Sequence, residues 1–163
     1  EQAITDGIEP SEAFKAIAYR SRDNARSPMQ WNDQQYAGFS KNMPWTKVNS
    51  NYQSINVQKQ ESDPDSLLSF YKTLIQLRCK SEYSRVLTEG SLVQIFKDKH
   101  KLIAFERVYQ TQKIHVLLNY SDNDEKVFYN KKPLYVLGNY RSMLYEKDIL
   151  KLRPFEALII EVF

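Results

Sequence analysis

The chain is poor in the residues on which most redox, metal and phosphate chemistry is built. It has one cysteine, Cys79, two histidines, His100 and His115, and four glycines among 163 residues. A single cysteine excludes a disulfide framework within the chain and favours a reducing, cytoplasmic setting. The histidines have no metal-ligand spacing and no Cys or carboxylate cluster around them, so neither metal nor cofactor is implied. His100 reads as a turn residue and His115 as a strand-face residue. No oxygen-rich calcium loop, Gly-rich phosphate loop or Gly-x-Ser-x-Gly elbow is present in the sequence. No apolar run approaches the roughly 20 residues of a membrane span, so no membrane partner is expected. The net charge is only +3, and short basic runs such as Lys97 to Lys101 and Lys131-Lys132 alternate with acids or fall in turn sequences. A nucleic-acid partner needs basic residues clustered on one face and is not expected either. Repeats and low-complexity tracts are lacking. So are an initiator methionine and a signal-peptide pattern at Glu1-Gln2-Ala3, which reads as a piece of a longer chain or a processed N-terminus.

What remains is an ordinary globular composition, 42% hydrophobic and 26% charged, enough for one domain or a small domain plus part of another. Ile8-Glu9-Pro10-Ser11 starts a helix, with Ala13, Phe14, Ile17 and Ala18 at helical spacing up to about Arg20. A second helix starts at Asp63-Pro64-Asp65-Ser66, with Asp63 as cap and Pro64 in the first helical position. Its apolar face is broad: Leu67, Leu68, Phe70, Tyr71, Leu74, Ile75 and Leu77, opposite Lys72, Gln76 and Lys80. Such a face needs a large partner layer, which the preceding residues cannot supply. Cys79, near its end, is expected to be a small buried or half-buried hydrophobe.

After Tyr83 the period changes from 3.6 to 2. Residues 92–97, 102–108, 113–119, 127–130, 134–137, 141–144 and 157–163 read as strands, separated by turn signals at 97–100, 110–111, 121–124, 138–139 and 153–154. This spacing predicts an antiparallel sandwich of about seven or eight strands.

Between the two helices lies a segment of about forty residues without helical or strand period, uncommon in compact domains unless functional or disordered. It contains Arg22-Asp23-Asn24-Ala25-Arg26-Ser27-Pro28-Met29-Gln30-Trp31, then Ala37-Gly38-Phe39, Pro44-Trp45, Asn49 to Tyr52 and Ile55-Asn56-Val57. Both tryptophans of the chain are here and charges are few, the opposite of a disordered composition. An ordered binding surface is expected.

These motifs, with Asp63-Pro64-Asp65-Ser66 leading to Tyr71 to Arg78, resemble the α-glucosidase branch of the α-amylase family of glycoside hydrolases, the oligo-1,6-glucosidase, dextran glucosidase and trehalose-6-phosphate hydrolase group. The resemblance covers roughly residues 15–80. It implies a mainly β chain: a C-terminal antiparallel β-sandwich of Greek-key type, preceded by the last loop and helix of a (β/α)8 barrel. Residues 1–82 would be the barrel remnant and 83–163 the sandwich. The family is retaining and uses paired carboxylates about 5 Å apart. In the family these belong to earlier barrel strands, and no stretch here resembles their motifs, so no catalytic residue is assigned. The fragment is expected to be inactive alone, with the missing barrel residues as its intramolecular partner. The parent would cleave short α-linked, first of all α-1,6-linked, gluco-oligosaccharides.

For single residues, the resemblance makes Arg26 the foremost substrate-binding candidate, reaching the nonreducing-end glucose. A guanidinium fork can serve a carboxylate and a sugar hydroxyl together. The competing role is a structural salt bridge within the loop. Arg22 is a second pocket candidate. Asp23 is expected to fix the loop and Asn24 to stabilise its turn. Pro28 to Trp31 are expected to pack the loop against the barrel, Trp31 and Trp45 to anchor the loop or stack on sugar, and Gly38 to permit a tight turn. The rival reading is a noncatalytic carbohydrate-binding or structural β-sandwich module. It needs a row of exposed aromatics on one sheet, with Tyr129, Tyr135, Tyr140 and Tyr145 as possible members.

Overall fold

The computed structural model describes residues 5–163, apart from the side chains of Asp23 and Asn24, so the roles expected of those two lie outside the described residues. The chain divides into two compact units between Ser69 and Phe70.

The first unit opens with helix α1 (Pro10–Arg20), which has proline in its first turn, where the missing N–H costs nothing. The long segment has no strand; it is built of 3-10 turns at Arg22–Ala25, Gln35–Gly38 and Ser50–Gln53 and a short helix α2 (Val57–Glu61). Helix α3 (Leu67–Lys80) starts three residues later than the sequence implies. Asp63 does not cap it. Its carboxylate instead accepts the N–H of Asp65 at 2.9 Å, closing a turn, and the buried Ser66 hydroxyl accepts the N–H of Ser69 at 3.2 Å. A serine three residues before that N–H is a good cap, and the Asp-Pro turn serves to place it.

None of the fourteen residues of α3 is buried. Leu67, Tyr71 and Ile75, spaced four apart on one line of the helix, are 67%, 56% and 57% exposed. Cys79 continues that line and is exposed, not the buried hydrophobe expected.

The second unit begins within α3 and continues through helix α4 (Ser84–Thr88) into eight strands: β1 (Ser91–Gln94), β2 (Leu102–Tyr109), β3 (Gln112–Asn119), β4 (Glu125–Phe128), β5 (Pro133–Gly138), β6 (Leu144–Glu146), β7 (Ile149–Leu152) and β8 (Ala157–Val162). They form a five-stranded sheet, β1-β2-β3-β8-β5, and a three-stranded sheet, β4-β7-β6. Every paired neighbour is antiparallel, and the chain switches sheets after β3, β4, β5 and β7. Seven of the strands lie near the stretches read from sequence. The strand missed is β7, because the hairpin turn before it, Lys147-Asp148, lacks the usual glycine or asparagine. Both residues nevertheless take left-handed backbone angles, φ 49° and 59°, at about 1 kcal/mol each.

Alternation buries Leu117, Leu158 and Ile160 of the larger sheet against Val127, Leu150 and Leu152 of the smaller. Each such side chain contributes about 2 kcal/mol. On the opposite face of the larger sheet, Val86 and Leu87 of α4 cover Ile114, with Leu77 from the end of α3 packed alongside. Tyr83 joins them; burial and the Glu161 carboxylate beside it push its hydroxyl pKa up to about 12.

One end of the sandwich is closed by polar groups. Buried Asn119 donates to the carbonyls of Asn123 at 2.7 Å and Arg153 at 2.9 Å, and accepts from the Ser121 N–H and hydroxyl at 3.0 and 2.8 Å. Buried Glu156 accepts from the Arg153 backbone N–H at 2.7 Å and from its guanidinium at 2.8 and 3.0 Å. That guanidinium lies 4.0 Å from the centre of the Tyr140 ring.

The tyrosines expected of a carbohydrate-binding sheet are engaged in this framework. Tyr129 is buried. The Tyr135 hydroxyl bonds the carbonyl of Tyr140, and that of Tyr145 bonds Lys131 O and the Asp148 carboxylate. They form no exposed row.

His115 is buried, not merely on a strand face. Its Nε2 lies 2.9 Å from a Glu106 carboxylate oxygen and its Nδ1 2.7 Å from the Tyr129 hydroxyl. A carboxylate only accepts, so Nε2 carries the proton and Tyr129 donates to Nδ1. Burial pushes the His115 pKa below its usual value against the pull of Glu106, and the nearby Lys131 and Lys113 act in the same direction as burial. The hydrogen bond from His115 holds Glu106 below the usual carboxylate range, helped by Lys131 at 3.6 Å. Burial and the Glu106 charge raise Tyr129, and Tyr145 adds to this, so the phenol stays protonated. Both lowered groups bind protons more readily unfolded than folded, so both make stability fall with acid. The His115 contribution is complete above about pH 6.5 and declines below it; that of Glu106 declines only below about 4.5. Thermal midpoints measured from pH 8 to 3 should therefore fall in two stages, and His115→Gln should abolish the first and shrink the second.

Candidate functional site

The segment 22–56 is held by its own backbone. The carbonyl of Ala37 accepts the N–H groups of Trp31 at 2.9 Å and Asn32 at 3.2 Å, and Ala37 N–H donates to Gln34 O at 2.9 Å. This folds Trp31 to Phe39 into a tight loop whose turn runs through three consecutive left-handed residues, Tyr36, Ala37 and Gly38. Gly38, at φ 66°, is required twice over. A side chain there would be strained, and its Cβ would lie 2.5 Å from the Asn32 amide oxygen. That oxygen is in use, accepting the N–H of Gln34 at 3.0 Å.

The stem of the loop is sewn to α2. Gln30 O and Trp31 O accept the first two N–H groups of that helix, Val57 at 2.9 Å and Gln58 at 3.0 Å, and the Gln30 amide donates to Ile55 O. Buried Asn56 caps α2 by accepting from Lys59 N–H at 2.9 Å, and donates to Tyr52 O at 2.8 Å. Pro28 is buried, and Ser27, Pro28, Met29 and Gln30 face Ile55 to Val57 and Gln60 across a cleft of about 230 Å³. Pro28 and Gln30 thus have contacts within the segment itself, a different partner from the barrel expected of them. Asn32 and Asn56 were not singled out from sequence. Asn56 had a legible signal, an amide residue directly before a helix start.

Arg22 and Arg26 bracket the first 3-10 turn, and both are exposed. Arg22 lines an open groove of about 490 Å³ with Ile8, Ala13 and Ile17 of the α1 region. Arg26 makes no ion pair or hydrogen bond with the described residues, so the structural salt bridge weighed against its substrate role has no partner among them. The structure does not gather the two arginines into one enclosed pocket. Trp31 is half exposed and Trp45 is 87% exposed, so Trp45 anchors nothing within the described chain. Beyond Arg22 and Arg26 the described side chains of the loop are mainly amides, hydroxyls and indoles, with Asp33, Lys41 and Lys47 its other charges; the amides, hydroxyls and indole faces suit hydrogen bonding and stacking to a polyol. Among the described residues no group of three or more His, Cys, Asp or Glu is placed to hold a metal ion, and no helix is long and apolar enough to cross a membrane.

Compared with known proteins, residues 1–90 match the alpha amylase catalytic domain. The chain is 33% identical over 162 residues to an oligo-1,6-glucosidase of Parageobacillus thermoglucosidasius, an alignment that covers 96% of this chain and 28% of the relative. It is 40% identical over 141 residues to an alpha-glucosidase of Candida albicans, covering 84% of this chain and 24% of that one. The fold superimposes on the crystal structure of Bacillus licheniformis trehalose-6-phosphate hydrolase with a TM-score of 0.86 at 25% identity, covering 99% of this chain and 30% of that chain. The chain thus spans under a third of the length of these relatives.

Gly38→Ala should destabilise the loop by about 1–3 kcal/mol through strain and displacement of Asn32. Hydrogen exchange should show this as faster exchange at Trp31, Asn32 and Ala37 N–H, with the strands of the second unit unchanged.

Proposed function

Because the chain belongs to the α-amylase family of glycoside hydrolases, we propose that it is the C-terminal part of a retaining α-glucosidase acting on short α-linked gluco-oligosaccharides, with α-1,6 bonds preferred. In this reading residues 1–82 are the end of the catalytic (β/α)8 barrel and 83–163 the supporting sandwich. The compact units divide earlier than 82. Most of α3, from Phe70 on, is grouped with the sandwich, where Leu77 packs on the α4 cluster.

One observation carries the reading. A loop fixed by its own backbone presents an exposed arginine, Arg26, with no partner among the described residues, inside the segment that matches the catalytic domain. Arg26, with Arg22 as second contributor, binds the sugar at the rim of the glucose pocket. Its planar donors fit a hydroxyl and a neighbouring carboxylate at once. The catalytic carboxylates come from the rest of the barrel, so the chain supplies no catalytic residue. The exposed line Leu67-Tyr71-Ile75 on α3 is the surface that the remaining barrel covers, an intramolecular partner. The enzyme is cytoplasmic and needs neither nucleic acid nor membrane. The names of the matched relatives, oligo-1,6-glucosidase and alpha-glucosidase, support the substrate class. The engagement of Tyr129, Tyr135 and Tyr145 within the sandwich weighs against an independent carbohydrate-binding module.

Glucose release from isomaltose and from a chromogenic α-glucoside is the test. The 163-residue chain should release none, and the full-length enzyme should turn over both; turnover by the chain alone would refute the reading. In the full-length enzyme Arg26→Ala should lower kcat/KM by about 10- to 100-fold, the loss of one or two charge-assisted hydrogen bonds.

A further inference from the structure

The outer face of the smaller sheet is not used by the core of its own unit. Val127, Leu150, Leu152 and Tyr145 face the sandwich, and the alternate residues of β4, β7 and β6 face outward. The register sets those outward residues in two rows. Lys126 lies opposite Lys151, which lies opposite Leu144; Phe128 lies opposite Ile149, which lies opposite Glu146. A groove of about 580 Å³ runs across this face to the Lys147-Asp148 turn, with Leu144 and Ile149 as apolar floor and Lys126, Lys147 and Lys151 at its rim.

Two features of this groove and one beside it are unfavourable in the free molecule. Like charges directly opposite on one sheet face repel, and Lys126 faces Lys151. Lys151 is relieved by Asp124 at 2.6 Å, but Lys126 has no ion-pair partner among the described residues. The turn that holds Lys147 at the rim keeps two non-glycine residues in the left-handed region. It is pinned there by hydrogen bonds from the Tyr145 hydroxyl to the Asp148 carboxylate at 3.0 Å and from Tyr129 N–H to Asp148 O at 2.7 Å. Strain over-determined in this way is a mark of functional positions. Phe128, on the next row, leaves its ring 67% exposed. Two acids meet the lysines here: Asp124 is held by Lys151 at 2.6 Å, and Glu146 is engaged with Lys147 at 3.5 Å in a pair almost wholly in water, which an incoming anion can displace at little cost.

We propose that this groove binds a phosphomonoester on a small polyol body, a sugar phosphate, with the phosphate between the ammonium groups of Lys126, Lys151 and Lys147 and the ring C–H surface on Leu144 and Ile149. Inorganic phosphate would satisfy the lysines and leave the floor wet. A neutral sugar would cover the floor and leave the opposed charges unrelieved. A sugar phosphate meets both the lysines and the floor. The site is independent of the glucose pocket and of the activity assigned to the parent enzyme.

Calorimetric titration of the 163-residue chain with glucose 6-phosphate, inorganic phosphate and glucose tests it. The expected result is saturable binding of glucose 6-phosphate that weakens several-fold when salt is raised from low to physiological concentration, with weaker binding of phosphate and none of glucose. Lys126→Met should weaken glucose 6-phosphate about tenfold while leaving the thermal midpoint equal or higher, since it removes a repulsion. Lys147→Ala, at a fully solvated position, should weaken it without touching the fold. Glucose 6-phosphate that fails to saturate at millimolar concentration, binding unchanged in both lysine variants, or glucose bound as tightly as its phosphate would each overturn the proposal. Phosphate bound as tightly as glucose 6-phosphate would overturn the role of the apolar floor.

Discussion

The second unit depends on the satisfaction of polar groups where the chain leaves one sheet for the other. Sheet switching is unavoidable in a sandwich, and each switch takes backbone donors and acceptors out of their ladder and into the low-dielectric rim of the core. Left unpaired, each would cost about 1–3 kcal/mol. Asn119 stands at the first such exit, the end of β3, and its side chain serves carbonyls from the next turn and from the far end of β7. Glu156 does the same at the entrance to β8, with Arg153 neutralising it. The apolar layer of Leu117, Leu150, Leu158 and Ile160 supplies most of the burial. These few polar side chains decide that it closes in one register.

The first unit is organised on a different principle. It has little apolar burial: Ala13 and Ala37 are its only buried hydrophobic residues among those described. Order in the loop comes instead from short-range backbone bonds, amide caps and left-handed turns. Such a design fixes the main chain and leaves large side chains, Trp45 and Met43 above all, without neighbours. A surface of this kind is what a binding rim requires, because its side chains are free to meet something else while their anchoring points stay in place.

The legibility of the sequence followed the strength of local patterning. The strands rich in Val, Ile and Leu announced themselves by alternation, and the Pro10 helix by its proline. Two kinds of feature stayed hidden. The first was chemistry carried by the tertiary neighbourhood: nothing near His115 in sequence reveals Glu106 or Tyr129 against it, since both come from other strands. The second was structure that breaks local rules. The Lys147-Asp148 turn conceals β7, and Ser66 takes the capping role from the more conspicuous Asp63. At the site, the motif from Arg22 to Trp31 was readable as a unit because its residue types are unusual together. That Trp45 would stand out in solvent was not readable, since exposure depends on what lies across from a residue.

The uncovered line of α3 has a consequence for the life of the polypeptide in a cell. Leu67, Tyr71, Ile75 and Cys79 form a continuous strip of the sort that chaperones and proteases bind when they survey immature proteins. Produced alone, the 163-residue chain shows this strip to the same machinery. Its abundance would then be governed by quality control rather than by the stability of its well-packed sandwich.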